Sequence, residues 1–249
     1  MKKVFVFAFI AIFVSVGLFA SAQDKPEAIN VLLITGDDVA PYHDWRDIAE
    51  STRDVLEKCE KIKVKTCADE FILESKTALG KYDVILLAGY FSKDPKLTDL
   101  AKKNLVEFVK SGKGFVVTHL ASASFKEWDE FRNLCAGRVW VMGKSGHTPR
   151  SVFECNVVNK DHAITKGLED FKIFDELYSK LQGDADMEVL VSAKSDYSDK
   201  VEPLVFVKNY GKGRVVHNAL GHDFKAIKNA TNQKLLVRSC LWAANVDMP

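Results

Sequence analysis

The sequence predicts an α/β domain that is built on a parallel β-sheet. Short, continuous apolar runs alternate with segments whose apolar residues recur at helical spacing. The runs end at a glycine or a polar residue, which is typical of strands that are buried on both faces. The order strand, helix, strand, helix builds a parallel sheet with right-handed crossovers. No internal repeat or low-complexity linker divides the chain. We therefore predict one domain over residues 23–249.

The first half of the chain contains the clearest elements. Strands are predicted at residues 30–35, 62–66, 83–88 and 115–118. The spacing of Ile48, Val55 and Leu56 predicts a helix over residues 44–60, with these side chains on its inner face. A second helix is predicted to begin after Thr98, which is a favourable N-cap residue, and to run to about Lys110.

The second half has a looser pattern with extra short strands. Residues 124–135 have helical spacing, and residues 136–149 form a glycine-containing connection in which Trp140 is expected to be exposed. Short strands are predicted at residues 152–158, 188–193, 204–207 and 214–218. A closing helix is predicted at residues 231–244.

Residues 1–22 have the features of a secretory signal peptide. Two lysines precede an apolar run from Val4 to Ala20, and small residues end the segment at Ala22. Cleavage is predicted after Ala22. A membrane anchor is the alternative, because the run is near the lower limit of about 17 apolar residues for a span. We expect a soluble mature protein that is exported to the periplasm or secreted, and that has no membrane contact after cleavage.

The charges of the chain nearly balance, with 35 Lys and Arg residues against 34 Asp and Glu residues. Nucleic acids and anionic membranes both select a basic surface, so neither is expected as a partner. A near-neutral surface permits self-association, so a homo-oligomer stays open.

The five cysteines do not indicate a disulfide framework. Their odd number leaves at least one thiol free, and only Cys59 and Cys67 are close enough in sequence to suggest a pair. No CxxC pair occurs, which argues against a thiolate zinc site or a redox dithiol. The other three cysteines are expected in the core.

Four histidines lie at predicted strand ends or in loops. His119 ends the fourth strand, and His43 lies in the loop after the first. His147 lies in a Gly-His-Thr-Pro loop, and His222 follows a late strand. Ligands of open parallel sheets bind beyond the carboxyl ends of the strands, so we expect three or more of these histidines to share a site. Taken singly, each also fits an ordinary structural or surface histidine.

The expected chemistry is that of imidazole. Neutral imidazoles with nearby carboxylates bind divalent ions, of which zinc is the first expectation. Imidazole also acts as a general acid or base near neutral pH, so His119 is a candidate general base as well as a candidate ligand. No HExxH or other tight ligand spacing is present. No nucleotide cofactor is expected.

Two other histidines and two pairs of acidic residues complete the candidates. His162 is expected to order a turn, and His217 lies within a strand, where a core or edge role is favoured. Asp37 follows the first strand, together with Asp38. Asp175 and Glu176 stand in an apolar stretch, where a charge needs a partner. Glu176 is therefore a candidate acid or base, and a structural ion pair or helix cap is the alternative.

Several short motifs, in this order along the chain, resemble the ThuA-like family, which is named for trehalose utilisation. They are Tyr42-His43-Asp44-Trp45, Gly112-Lys113-Gly114-Phe115 leading to His119, Gly146-His147-Thr148-Pro149, Asp161-His162-Ala163-Ile164-Thr165-Lys166-Gly167-Leu168, Asp175-Glu176-Leu177-Tyr178, and Tyr210-Gly211-Lys212-Gly213-Arg214 with Gly221-His222-Asp223. The chain departs from the family pattern at Ala163, where a proline is usual, and at His217, where an aromatic residue is usual.

The resemblance implies a flavodoxin-like fold, similar to class I glutamine amidotransferases, with a parallel sheet between helices. Those amidotransferases carry a cysteine where this chain has His119. Cysteine-dependent glutamine hydrolysis is therefore disfavoured, because its nucleophile is missing.

The resemblance further implies a carbohydrate substrate. Our leading hypothesis is an exported enzyme that acts on a disaccharide, a glycoside or a keto-sugar, as a hydrolase, lyase or isomerase. His119 and Glu176 are the candidate catalytic residues, and the candidate metal ligands are His43, His119, His147 and His222. The candidate substrate-binding residues are Asp37, Tyr42, Asp44, Trp140 and Asp223. The alternative is a non-catalytic carbohydrate-binding or accessory protein on the same fold.

Overall fold

The computed structural model describes Met1 and residues 28–36, 42–91, 97–183, 186–246 and 248. The strands are β1 (Ile29–Ile34), β2 (Ile62–Cys67), β3 (Val84–Leu87), β4 (Gly114–Thr118), β5 (Arg138–Val139), β6 (Ser151–Val157), β7 (Phe171–Asp175), β8 (Gln182–Gly183), β9 (Glu188–Ser195), β10 (Lys200–Tyr210) and β11 (Gly213–Asn218). The α-helices are α1 (Trp45–Glu57), α2 (Lys76–Leu79), α3 (Asp99–Lys110), α4 (Phe131–Leu134), α5 (Phe224–Ile227) and α6 (Ala230–Ala243), and 3₁₀ turns cover Glu70–Glu74 and His119–Ala123.

Within the described residues, nine strands form one sheet in the order β2-β1-β3-β4-β11-β10-β9-β6-β7. The first five are parallel, and the last four continue the sheet as antiparallel neighbours. If β11 is counted as the fifth parallel strand, the parallel part has the flavodoxin-like order 2-1-3-4-5. The predicted α/β fold class is thus confirmed. The antiparallel part contains most of the extra short strands that were predicted for the C-terminal half.

The buried centre of the sheet follows from the apolar runs. All four residues of β3 are buried, as are Phe115, Val116 and Val117 of β4. The long helix α6 packs against β4 and β11. This packing requires Gly114, because a Cβ atom at that position would lie 2.7 Å from the backbone carbonyl oxygen of Ala243. The glycine thus allows helix and strand to approach closely.

The N-termini of the two predicted helices in the first half are confirmed. The side chain of Asp44 accepts hydrogen bonds from the backbone N–H groups of Arg46 and Asp47 at the start of α1. The Thr98 hydroxyl accepts from Ala101 N at the start of α3. Each side chain satisfies amide groups that the first helical turn leaves without a partner.

The predicted helix at residues 124–135 is wrong in extent, since only Phe131–Leu134 is helical. Phe125 has a φ of +50°, which is incompatible with a right-handed helix at this point. The Ser124 hydroxyl instead accepts a hydrogen bond from Phe91 N and donates one to Gly89 O, which fixes an irregular loop. Trp140 also differs from expectation, because it is half-buried against the core rather than exposed. The sequence patterns also gave no sign of β7.

All five cysteines are free thiols, so Cys59 and Cys67 do not form the disulfide that their spacing left open. Within the described ranges, no helix is both long and apolar enough to cross a membrane. The predicted signal peptide, apart from Met1, lies outside the described residues.

His217 of β11 is a core residue, as the sequence favoured. Its side chain is fully buried beside Phe206, with ring centroids 4.6 Å apart, and its Nδ1 lies 3.1 Å from the carbonyl oxygen of Arg138. Burial lowers the pKa of His217 to about 4, because a charged imidazolium is poorly solvated in the core. The neutral ring is therefore the form that the fold accommodates.

This depressed pKa predicts acid sensitivity. The folded protein resists protonation of His217. The contribution of the neutral His217 ring to the unfolding free energy is therefore complete above the unfolded pKa of about 6.5 and is lost as pH falls toward 4. We expect the unfolding free energy of the wild type, relative to His217→Phe, to fall by about 2 kcal/mol between pH 7 and pH 4.5. Urea denaturation at both pH values measures this difference. A difference that does not change with pH would contradict the assignment.

Candidate metal centre

Three histidines and one glutamate converge beyond the carboxyl ends of the strands. His119 directly follows β4, and Glu176 directly follows β7. His222 lies in the loop after β11, and His43 lies between β1 and α1. One nitrogen or carboxylate oxygen from each of these residues lies within 4.8 Å of the corresponding atoms of the other three. The sheet edge at which β4, β7 and β11 end thus gathers side chains that are far apart in sequence.

Glu176 is the centre of this cluster. Its Oε2 lies 3.1 Å from Nδ1 of His222, 3.4 Å from Nε2 of His119 and 3.6 Å from Nε2 of His147. The His43 ring packs against two of the same imidazoles, with centroids 4.5 Å from that of His222 and 5.3 Å from that of His119. His147 borders the cluster but is not among the four mutually close ligand groups.

The potential metal-ligand atoms of the cluster are buried and have no hydrogen-bond partner among the residues that the structure describes. They are both ring nitrogens of His43, Nε2 of His119, Oε2 of Glu176 and Nδ1 of His222. Buried polar atoms are rarely left unsatisfied, because each loses its hydration without compensation. These atoms lack hydrogen-bond partners and surround one point, so a cation bound there would interact with all of them. These residues could hold a metal ion.

Hydrogen bonds at the backs of two rings orient their free nitrogens. The Nδ1 of His119 lies 2.9 Å from the carbonyl oxygen of Ala219, and the Nδ1 of His147 lies 2.7 Å from that of Thr148. A carbonyl oxygen only accepts, so each Nδ1 donates its proton and leaves a lone pair on Nε2. In both rings this Nε2 is the atom that faces Glu176.

The electrostatics of the cluster favour one anion among imidazoles. Burial and the neighbouring His119 and His222 lower the pKa of His43 to about 3, so this ring is neutral at pH 7. Burial alone would raise the pKa of Glu176, but close contacts with His119 and His222 hold it well below its ordinary range. For His119, burial is outweighed by the contact with Glu176 and by the charge of Asp175, so its pKa is raised.

Asp175 connects the backbone segments that carry two of the ligands. Its buried carboxylate accepts hydrogen bonds from Gly221 N (2.7 Å), Glu176 N (2.9 Å) and His222 N (3.1 Å). Burial raises the pKa of Asp175, although these amide contacts oppose the shift. One carboxylate therefore fixes the positions of Glu176 and His222 relative to each other.

The turn after β4 holds His119 in an unusual backbone conformation. Its φ is +44°, in the left-handed region that non-glycine residues seldom occupy. The Ser122 hydroxyl donates a hydrogen bond of 2.9 Å to the His119 carbonyl, which helps to close the turn. Such outliers cluster at functional sites, where the surrounding structure compensates for their strain.

Comparison with known proteins places the chain in a family. A family model described as ThuA, trehalose utilisation, matches residues 30–243. The chain belongs to the ThuA family. This assignment confirms the resemblance seen in the motifs and gives the protein a carbohydrate-related role. A search of curated proteins gave no match.

Solved structures share the ThuA fold over nearly the whole chain. A ThuA-like protein from Parabacteroides merdae is 26% identical, with a TM-score of 0.76 and coverage of 90% of this chain and 92% of that one. A ThuA-like protein from Bacteroides uniformis is 20% identical, with a TM-score of 0.71 and coverage of 90% and 94%. A β-galactosidase from Bacillus circulans sp. alkalophilus is 15% identical, with a TM-score of 0.59, and the match covers 90% of this chain but 32% of that enzyme.

The other predicted site residues of this ThuA protein lie outside the group of four. Asp44 caps α1, as described above. Asp223 caps α5 and forms a 2.6 Å ion pair with Arg150, so both of its oxygens contact protein groups. Tyr42 is 71% exposed. Asp37 lies outside the described residues. His162 packs against Trp242, with ring centroids 5.1 Å apart.

An aromatic wall lies next to the cluster; Trp140 was predicted as a substrate-binding residue, whereas Tyr178 was not anticipated as part of the site. Tyr178 is fully buried and stacks on His119, with ring centroids 4.1 Å apart. Trp140 packs against the same tyrosine at 4.3 Å and against His147 at 5.7 Å. Tyr178 stands only two residues after Glu176, but no strand was predicted over this segment, so no alternation pattern placed the two side chains together.

Removal of the Asp175 carboxylate should destabilise the ThuA domain. Asp175→Ala leaves three amide groups without their acceptor, and we expect a loss of about 3 kcal/mol or more of unfolding free energy. Asp170→Ala is the control, because Asp170 is exposed and water can replace it as the acceptor for Val157 N. Urea denaturation measures both. Equal losses in the two variants would show that Asp175 has no special role.

Proposed function

We propose that this protein is an exported enzyme that acts on a disaccharide, a glycoside or a keto-sugar with the help of a divalent metal ion. The observation that carries the proposal is the group of four ligand residues, of which His119, Glu176 and His222 are buried and His43 is half-buried. Their facing ligand atoms have no hydrogen-bond partner among the residues that the structure describes. The family description, trehalose utilisation, supports the carbohydrate class. The signal-like features of residues 1–22 support export. A small carbohydrate, rather than a nucleic acid, is the proposed partner.

The ligand set fits zinc best. His43, His119 and His222 would supply imidazole nitrogens, and Glu176 would supply a carboxylate oxygen. Imidazole suits zinc and its transition-metal neighbours, whereas magnesium and calcium select oxygen ligands. A bound zinc ion supplies Lewis acidity, which polarises a carbonyl group or lowers the pKa of a water molecule.

The neighbouring side chains suit proton transfer and substrate orientation. The His147 side chain is 30% exposed, whereas that of His119 is 4% exposed, so His147 is the imidazole that a substrate reaches more easily. Its Nδ1 is hydrogen-bonded to the carbonyl oxygen of Thr148, and its Nε2 faces Glu176. The Nε2 is therefore the atom that can exchange a proton with a bound sugar. Tyr178 and Trp140 exclude water on one side of the cluster.

The metal content of the purified protein tests the first half of this proposal. After zinc loading and dialysis, we expect about one zinc ion per chain in the wild type and less than about 0.1 in His43→Ala and His222→Ala, since each loses one ligand of a four-ligand site. His162→Ala should match the wild type, because His162 lies outside the cluster. Elemental analysis by mass spectrometry gives the ratios. Zinc retention in both ligand variants would contradict the site.

Sugar turnover tests the second half. We expect the zinc-loaded protein to convert at least one member of a panel of disaccharides, glycosides and keto-sugars, and Glu176→Gln to lower that rate by about 100-fold or more. His147→Gln should lower the rate while zinc is retained, which separates proton transfer from metal binding. Mass spectrometry of the products measures turnover. Sugar binding without turnover in the zinc-loaded wild type would instead support a carbohydrate-binding protein.

A further inference from the structure

A second pocket lies directly beside the metal centre. It is open to solvent and has a cavity volume of about 230 Å³. Tyr90 lines this pocket and also a smaller one that contains His43 and His119. Trp140 lines the larger pocket and packs against Tyr178, which in turn stacks on His119. The side chains of Tyr90, Trp140 and Tyr178 thus connect a ligand in the larger pocket with the proposed metal ligands.

The walls of this pocket suit a sugar ring. Tyr90, Trp128 and Trp140 contribute large aromatic side chains that carry a polar group at one edge. Trp128 and Trp140 are half-buried, so part of each indole is exposed while the rest is packed against the core. Such surfaces can cover the apolar C–H face of a pyranose while hydroxyl groups stay hydrated.

Arg132 gives the pocket a positive charge that the fold itself does not neutralise. Its Nε is buried and has no hydrogen-bond partner, and Arg132 forms no ion pair with any residue that the structure describes. Its stem lies close to Gly183, where an added Cβ atom would be 2.9 Å from Cδ of Arg132. An unpaired guanidinium fits the planar, two-oxygen geometry of a carboxylate. Lys126 adds positive charge at the rim, and Asp129 is an exposed acid there.

We propose that the pocket binds a sugar that carries a carboxylate group, with that group on Arg132 and the ring against Trp140. This inference names the substrate class of the enzyme proposed above and rests on that proposal for its catalytic meaning. A uronic acid unit at one end of a disaccharide or glycoside has the required chemistry. The carboxylate on Arg132 would fix the orientation in which the sugar approaches the metal centre.

Calorimetric binding of two matched sugars tests the inference. The probes are methyl β-D-glucuronide and methyl β-D-glucoside, which differ in the carboxylate. We expect the zinc-loaded wild type to bind the glucuronide at least about tenfold more tightly than the glucoside, because one charge-assisted ion pair contributes about that much affinity. Arg132→Gln should remove this preference, and Arg132→Lys should keep part of it. Arg53→Gln is the control, because Arg53 is an exposed residue of α1 that pairs with Glu57.

The outcomes separate this inference from the proposed function. Equal affinity of the wild type for the two sugars, binding of neither sugar, or an unchanged preference in Arg132→Gln would overturn it. If Arg132→Gln does not fold, as judged by its thermal transition, the ratio measured with Arg132→Lys decides. Trp140→Ala should weaken the binding of both sugars to the same extent. A wild type that prefers the glucuronide but holds no zinc would retain the pocket and refute the metal enzyme.

Discussion

The three hydrogen bonds that the Asp175 carboxylate accepts are the contact on which the site depends. The carboxylate stands at the end of β7, the last strand of the antiparallel extension, and it binds the loop that follows β11 in the parallel part. Glu176 and His222 follow strands in two separate parts of the sheet, and this carboxylate links them. Its burial is possible because three amide groups replace the water that the anion loses. The antiparallel extension therefore contributes a ligand as well as covering the sheet edge.

The cluster concentrates basic rings and one anion where solvent is scarce. Simultaneous protonation of the imidazoles would bring like charges together at ring separations of 4.5–5.6 Å, which burial makes costly. Burial and the cost of crowding positive charges lower the pKa of His43. Against the effect of burial, the neighbouring imidazoles lower the pKa of Glu176 and keep it anionic. A cation at this point would replace a proton and relieve the repulsion. The three imidazoles and one carboxylate thus suit a borderline divalent cation better than a neutral ligand.

Much of the fold was predictable because β1, β3 and β4 are buried on both faces and appear as apolar runs. The convergence of His43, His119 and His222 also followed from a general rule, since parallel strands end at one edge. The irregular loop after His119 was not predictable, because the helical spacing of residues 124–135 is overridden by the left-handed conformation of Phe125. The function of Asp175 and the unpaired state of Arg132 depend on contacts between distant segments, which no local pattern encodes.

The ligands of the site come from near both ends of the chain, with His43 before α1 and His222 after β11. During synthesis, the set is therefore incomplete until the final parallel strand has been made and inserted between β4 and β10. An ion would therefore bind to the full ligand set only after the sheet is complete. Its binding free energy would add to that of the fully assembled domain and not to that of any shorter fragment, so metal loading would mark the completion of folding.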